Sequence, residues 1–189
     1  MARWAPDTRE RLRGAALELF AERGFAATTV PEIVERAGVT RRTFFRHFSD
    51  KREVFFGDDE IPVLASRMIA AAPAGAPPMT VVVDGLRQLA AERFDPRRDQ
   101  VLAARRIISA EPDLRERDLR KQEDLRQAVR EGFRRRGVDD RTARVVAGVT
   151  VLVLQTALEA WLDDADGAPL TDHLDATVDQ VTSMLAPGP

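Results

Sequence analysis

Leu12, Ala16, Leu19 and Phe20 recur three or four positions apart, the spacing that lines one face of an α-helix. Asp7 is the expected cap of this first helix, with Glu10 in the capping-box position, and Gly24 closes it. A shorter stripe, Val30, Ile33, Val34 and Ala37, follows Thr29, with Glu32 three positions after that cap. Pro31 fits there because first-turn amides have no helical partner. Gly38 stops the second helix, and Thr40 is placed to cap a third over about Arg41–Phe48. In it, Phe44 and Phe48 should face inward with Ile33 and Val34, while Arg41, Arg42, Phe45 and Arg46 point elsewhere and Thr43 lies at the margin. A fourth helix is expected from Asp50 and Glu53 through Val54, Leu64 and Met68, with Pro62 a kink or a break.

The alanine- and proline-rich stretch 71–78 reads as a turn between helices. Helices are predicted over Val81–Phe94, Arg97–Ala110 and Asp113–Arg136, bounded by Pro96 and Pro112, with Leu125, Val129 and Phe133 as an i, i+4 ladder. Gly137 precedes a long apolar helix over Asp139–Asp163, and a turn at 167–169 leads to a last helix over Thr171–Leu185. The valine runs 81–83 and 151–153 do not alternate with polar residues as a half-buried strand would. About nine helices and no strand make an all-α chain of bundle type, divided into a small N-terminal module, residues 1–56, and a larger bundle, residues 57–189.

Composition then removes whole classes of chemistry. The 189 residues include no Cys, which excludes disulfides, thiolate metal sites and thiol nucleophiles, and His47 and His173 are too few for a histidine cluster. No metal and no cofactor are expected. Ser49, Ser66, Ser109 and Ser183 lack a histidine pattern, and the carboxylates are scattered over helix faces, so nothing resembles a catalytic set. The opening MARWAPDTRERLR enters charged sequence at once, and the apolar stretch Val145–Leu158 is short for a bilayer span. A cytoplasmic protein without membrane attachment is the expectation.

The chain is slightly acidic, with 29 Lys+Arg against 31 Asp+Glu, yet its charge is unevenly placed. Between Arg36 and Arg52 stand Arg36, Arg41, Arg42, Arg46, Lys51 and Arg52 against Asp50 alone. A compact basic patch on an acidic protein suits one face that meets phosphate. Two short helices joined at Ala37-Gly38-Val39, the second with a basic outer face, fit a helix–turn–helix: Gly38 accepts positive φ, and Val39 tucks beneath both helices. Arg41, Arg42 and Thr43 are then candidates for base edges, since arginine can bond two atoms of guanine and threonine can meet a thymine methyl.

The stretch TTVPEIVERAGVTRRTFFRHFSDKREVFF, residues 28–56, closely resembles the N-terminal signature of TetR-type transcriptional regulators, and TRERLRGAALELFAERGF, residues 8–25, resembles their first helix. The resemblance implies a symmetric dimer on double-stranded operator DNA, with a ligand-released repressor the commoner role and an activator the runner-up. By position it implies phosphate contacts from Thr28 and Thr29, a phosphate-bonding helix cap at Thr40, a DNA-binding histidine at His47 in the family's Tyr-x-His-Phe pattern and a phosphate-contacting lysine at Lys51. Phe45 stands where most members have a tyrosine, so contact there must be apolar. Arg42 replaces a residue that is usually glycine and adds a contact of its own. Arg3 lies in an arm that would reach a minor groove or stay solvated.

Beyond the module the resemblance is one of layout only. It implies a homodimer through about 139–163 and 171–185, where Val145, Val146, Val149, Leu152, Val153, Leu158 and Leu162 supply more apolar surface than one side needs. It also implies a small-molecule effector, lipophilic or acyl-thioester-like, held among the helices between Met79 and Arg136. Arg105 and Arg106 would meet an acidic head group or stay solvated. Release would follow if the effector fixed the two reading heads away from a spacing of one helical turn, about 34 Å. A helical protein-binding module without DNA affinity is the remaining alternative; its binding would be insensitive to DNA, whereas phosphate-driven binding would fall steeply with added salt.

Overall fold

The computed structural model describes residues 8–56 and 60–186; the expected cap Asp7, the arm residue Arg3 and the junction at Gly57 lie outside the described residues. Among these residues the fold is all-α, with eight helices of at least eight residues and two shorter ones. They are α1 (Thr8–Arg23), α2 (Val30–Ala37), α3 (Arg41–His47), α4 (Glu53–Phe56), α5 (Glu60–Ala71), α6 (Pro78–Leu89), α7 (Arg98–Ala110), α8 (Pro112–Arg135), α9 (Asp140–Asp163) and α10 (Leu170–Leu185). The helix expected through 81–94 ends at Leu89 and continues as a π turn, Ala90–Phe94, and a 3-10 turn, Asp95–Arg97. Pro96, which lacks an amide hydrogen, accounts for the loss of regular helix there. Pro62 falls in the first turn of α5, where it costs no hydrogen bond.

The chain divides into two compact units, and the N-terminal one also takes in residues 99–121. In that unit α1 packs on α2 and α2 on α3. Its core joins Leu12, Phe20, Ile33, Phe44 and Phe48 to Ala104, Ile108 and Leu114. The predicted inward pair Phe44 and Phe48 is buried, with ring centroids 5.4 Å apart. Phe20, Phe25 and Phe55 form a second ring cluster, centroids 4.9–5.6 Å apart. Large rings of this kind give a small module a core from few positions. At α4, the carboxylate of Glu53 is almost wholly buried and lies against the guanidinium of Arg117 and, at 3.5 Å, the ammonium of Lys121.

The second unit comprises residues 60–98 and 122 onward. Leu125, Val129 and Phe133 are buried, as their i, i+4 spacing predicted. Asp139 caps α9, its carboxylate accepting the Thr142 amide at 3.0 Å. At 24 residues, α9 is the one helix among the described residues long and apolar enough to cross a membrane, so Val145–Leu158 belongs to a longer element than its own length suggested. Ala143, Ala147, Val153, Ala157 and Trp161 bury one face of it within its own unit, which makes α9 a core helix there. The apolar surplus has a geometric form. Val146 and Val153 are buried, whereas Val145 and Leu152, seven positions apart, stand 61% and 52% exposed.

Between α5, α6, α8 and α9 lies a cavity of about 40 Å³, lined by Ile61, Leu64, Met68, Val82, Leu86 and Val129, among other apolar residues, and by Thr150. Its walls therefore extend outside the stretch 79–136. Apolar periodicity marks which side of a helix is inward but not which helices meet across a void.

Candidate nucleic-acid interface

The α2–α3 junction has the geometry a helix–turn–helix requires. Gly38 sits at φ 64°, ψ 40°, and its amide and that of Val39 close α2 by donating to Glu35 O and Val34 O, at 3.1 and 3.0 Å. A side chain at that left-handed φ would be strained. At the start of α2 the Thr29 amide and hydroxyl both donate to Glu32 Oε2 at 2.8 Å, and these bonds hold the Glu32 carboxyl below its usual range. Thr40 caps α3 as expected: its hydroxyl accepts the Thr43 amide at 3.1 Å and lies 2.9 Å from the Thr43 hydroxyl.

α3 has no acidic residue in its first turn and ends in Arg46 and His47. Arg41, Arg42 and Arg46 are exposed, and among the described residues none of the three forms an ion pair. The Arg41 guanidinium lies over the Phe45 ring at 5.6 Å, and Phe45 is 47% exposed. Phe45 in turn meets the buried Phe44 edge-on, centroids 5.4 Å apart, so the exposed ring rests on the core. His47 is half-buried, its Nε2 3.4 Å from the Arg46 guanidinium.

The other cations of the basic cluster are engaged inside the module. Arg36 pairs with Glu22, one bond at 2.8 Å, and with Glu18 at 3.7 Å; the bond from Arg36 holds the Glu22 carboxyl below its usual range. Arg52 pairs with Asp50 at 2.8 Å. Burial raises the Asp50 carboxyl, but bonds from the Arg52 side chain and from the Arg52 and Glu53 amides bring it below its usual range.

Two expected contact residues make bonds within the module. Thr28 is 1% exposed, and its hydroxyl donates to Gly24 O at 2.9 Å and Leu19 O at 3.3 Å. Its side chain is therefore turned into the module and ties the α1–α2 loop to α1. Lys51 spends its three donors on the carbonyls of Phe25, Thr28 and Ala26, at 2.8, 2.9 and 3.3 Å, and lies 4.4 Å from the centre of the Phe25 ring. Burial lowers this ammonium below the usual lysine range, while the Glu111 carboxylate opposes the shift. Arg105 pairs with Asp118 at 2.8 Å in the N-terminal unit, and Arg106 is exposed. No group of metal-ligating side chains occurs among the described residues.

Both the N-terminal module and the larger unit are similar to known proteins. The model of bacterial regulatory proteins of the tetR family matches residues 12–56, and that of the MftR C-terminal domain matches residues 76–186. The chain is 32% identical over 171 residues to the HTH-type transcriptional regulator TcmR of Streptomyces glaucescens, covering 84% of this chain and 75% of that one. It is 30% identical over 182 residues to the HTH-type transcriptional repressor AcnR of Corynebacterium diphtheriae, covering 92% and 88%. In structure it is similar to the TetR-family repressor FadR of Thermus thermophilus, crystallised with lauroyl-CoA, at a TM-score of 0.56 and 22% identity, covering 96% and 98% of the two chains.

Proposed function

The chain belongs to the TetR family of bacterial regulatory proteins, and from that premise we propose that it is a sequence-specific repressor gripping a palindromic operator as a homodimer and released by a small molecule. Regulators of this family are typically ligand-released repressors that bind palindromic DNA as homodimers, and they are not enzymes.

The observation that carries the proposal is the division of the basic cluster. Arg36, Lys51 and Arg52 serve the fold, which leaves Arg41, Arg42 and Arg46 exposed and, among the described residues, without an ion pair on a seven-residue helix of a size the major groove admits. In the proposed complex Arg41, Arg42 and Thr43 face base edges. Thr29, Thr40, Arg46 and His47 meet the sugar–phosphate backbone, and the Phe45 ring lies on a sugar or a thymine methyl. Thr28 and Lys51 support the module from within. The twin subunit packs along α9 and α10, where Val145, Leu152, Met184 and Leu185 are exposed apolar residues on one unit. The effector is lipophilic or acyl-thioester-like, as the lauroyl-CoA held by FadR suggests, and the protein works in the cytoplasm.

Selection of genomic fragments bound by the full chain, followed by footprinting, tests this. The expected result is a palindrome with half-sites about one helical turn apart. Arg42→Ala should weaken binding to that site by about 1–3 kcal/mol and relax preference at one base pair per half-site. Equal loss on random DNA would move Arg42 to the phosphates, and no duplex binding at low salt would end the repressor proposal.

A further inference from the structure

The cavity of the second unit shows what kind of effector it can enclose. Its lining comes from α5, α6, α8 and α9, and not one lining side chain is charged, although charged residues make up 32% of the chain. Thr150 carries the one side-chain oxygen in the wall, and its hydroxyl hydrogen is already given to Val146 O at 2.8 Å. The oxygen that remains can only accept. An ionised group placed here would lose its water and find no counter-charge, a penalty far above any gain from apolar contact.

The cavity is small but has a movable wall. At about 40 Å³ it exceeds the roughly 10–15 Å³ that a water needs, but it offers a water too few polar partners. Met68 of α5 lies in the groove left by Gly85 of α6, its terminal methyl 3.5 Å from where a Cβ on Gly85 would be. Methionine is unbranched, with three rotatable bonds, and gives way at little cost. Met68 is also only half-buried, so the side chain has solvent to swing toward. By contrast Ile69, one residue on, is tightly seated against Gly132 of α8, 3.1 Å from the Cβ position, and fixes the helix while Met68 moves.

We propose that the cavity admits an uncharged apolar molecule, such as a fused ring or a short alkyl chain, that displaces Met68 and offers at most one hydrogen-bond donor, to the Thr150 oxygen. A carboxylate or the head of a thioester stays outside it. This deepens the ligand-released reading above, but the cavity's selectivity can be measured without DNA.

The experiment sets matched neutral and anionic probes against the full chain at pH 7: 2-naphthol with 2-naphthoate, 1-decanol with decanoate, and lauroyl-CoA. Thermal shift reads binding, and release of a bound operator fragment reads its consequence. At least one neutral probe should raise the Tm at a concentration tenfold or more below that of its anionic partner. Ala65→Leu, which fills the cavity from α5, should abolish that shift, and Met68→Ala should strengthen it. Thr150→Val should bring 2-naphthol level with its methyl ether. The proposal fails if 2-naphthoate or decanoate binds more tightly than its neutral partner, if lauroyl-CoA binds more tightly than 1-decanol and does so equally in Ala65→Leu, if Ala65→Leu leaves the binding of the neutral probes unchanged, or if no neutral probe stabilises either the native chain or Met68→Ala. A shift with neutral probes in a chain that binds no duplex would keep the cavity assignment and refute the operator reading instead.

Discussion

Lys51 separates what a family pattern implies from what this chain does with the residue. If its three carbonyl bonds are its purpose, Lys51→Met should damage the fold and leave DNA affinity largely alone. Hydrogen bonds from a charged donor contribute about 1.5–3 kcal/mol each. The low end applies, because the ammonium is only partly buried and burial itself disfavours its charge. Three bonds to Phe25 O, Ala26 O and Thr28 O then amount to about 4.5 kcal/mol, and the ring contact with Phe25 adds about 0.5 kcal/mol. Ordering a lysine side chain costs about 2 kcal/mol, which leaves a net loss of about 3 kcal/mol. For a chain of this size that lowers the melting temperature by roughly 5–10 °C. Urea and thermal unfolding of Lys51→Met read the stability, and binding at several salt concentrations, below the melting point, reads the phosphate contact. Unchanged melting, together with a uniform loss of affinity and a salt slope smaller by about 1, would show that Lys51 touches phosphate and that its carbonyl bonds are incidental.

Glu53→Ala leaves Arg117 and Lys121 facing a void in place of their carboxylate and should cost about 3–5 kcal/mol in urea unfolding, whereas Glu53→Leu combined with Arg117→Leu and Lys121→Met should recover most of it. Gly38→Ala forces a left-handed φ on a residue with a Cβ and should cost about 1–2 kcal/mol while shifting how α3 is presented, read as weaker operator binding than the stability loss alone explains. Acid should also loosen the protein. Glu22, Glu32, Asp50, Asp139, Asp140 and Asp164 are all held below their ordinary values, so their contribution is complete above about pH 5 and is lost as pH falls through the lowered folded values; the urea midpoint at pH 3 should lie well below that at pH 6.

Helices were legible where an apolar stripe and a cap agree, as at Thr29 with Glu32, Thr40 with Thr43 and Asp139 with Thr142. The π turn at 90–94 was not, because one extra residue in a turn leaves the local apolar spacing almost unchanged. Nor was the attachment of residues 99–121 to the N-terminal core. Ala104, Ile108 and Leu114 announce an inward face, but a stripe does not name the surface it meets. At the interface, the outward set of α3 followed from its inward set, since Phe44 and Phe48 fix the rotation of the helix. The bonds of Thr28 and Lys51 within the module were illegible for a different reason. A polar side chain that satisfies carbonyls 23 to 26 residues away looks, in sequence, the same as one that waits for a phosphate.

An acidic chain can still present a DNA-reading face because the pairing of charges is local. Among the described residues no α3 arginine forms an ion pair, whereas Arg36 of α2 is neutralised by Glu22 and Glu18 and Arg52 by Asp50 on the same module. At physiological salt, fields between exposed charges fade over about 8 Å, so carboxylates on distant helices repel a duplex weakly while the arginines in contact with it act at full strength. Net charge is therefore a poor guide to the ligand of such a protein, and the sign of a helix face without ion pairs is a better one. The same economy explains why the cluster is larger than its reading surface. Its outer members orient and stiffen the short helices that carry the inner ones, and a seven-residue helix with little intrinsic stability of its own depends on that support to hold Arg41, Arg42 and Arg46 in register.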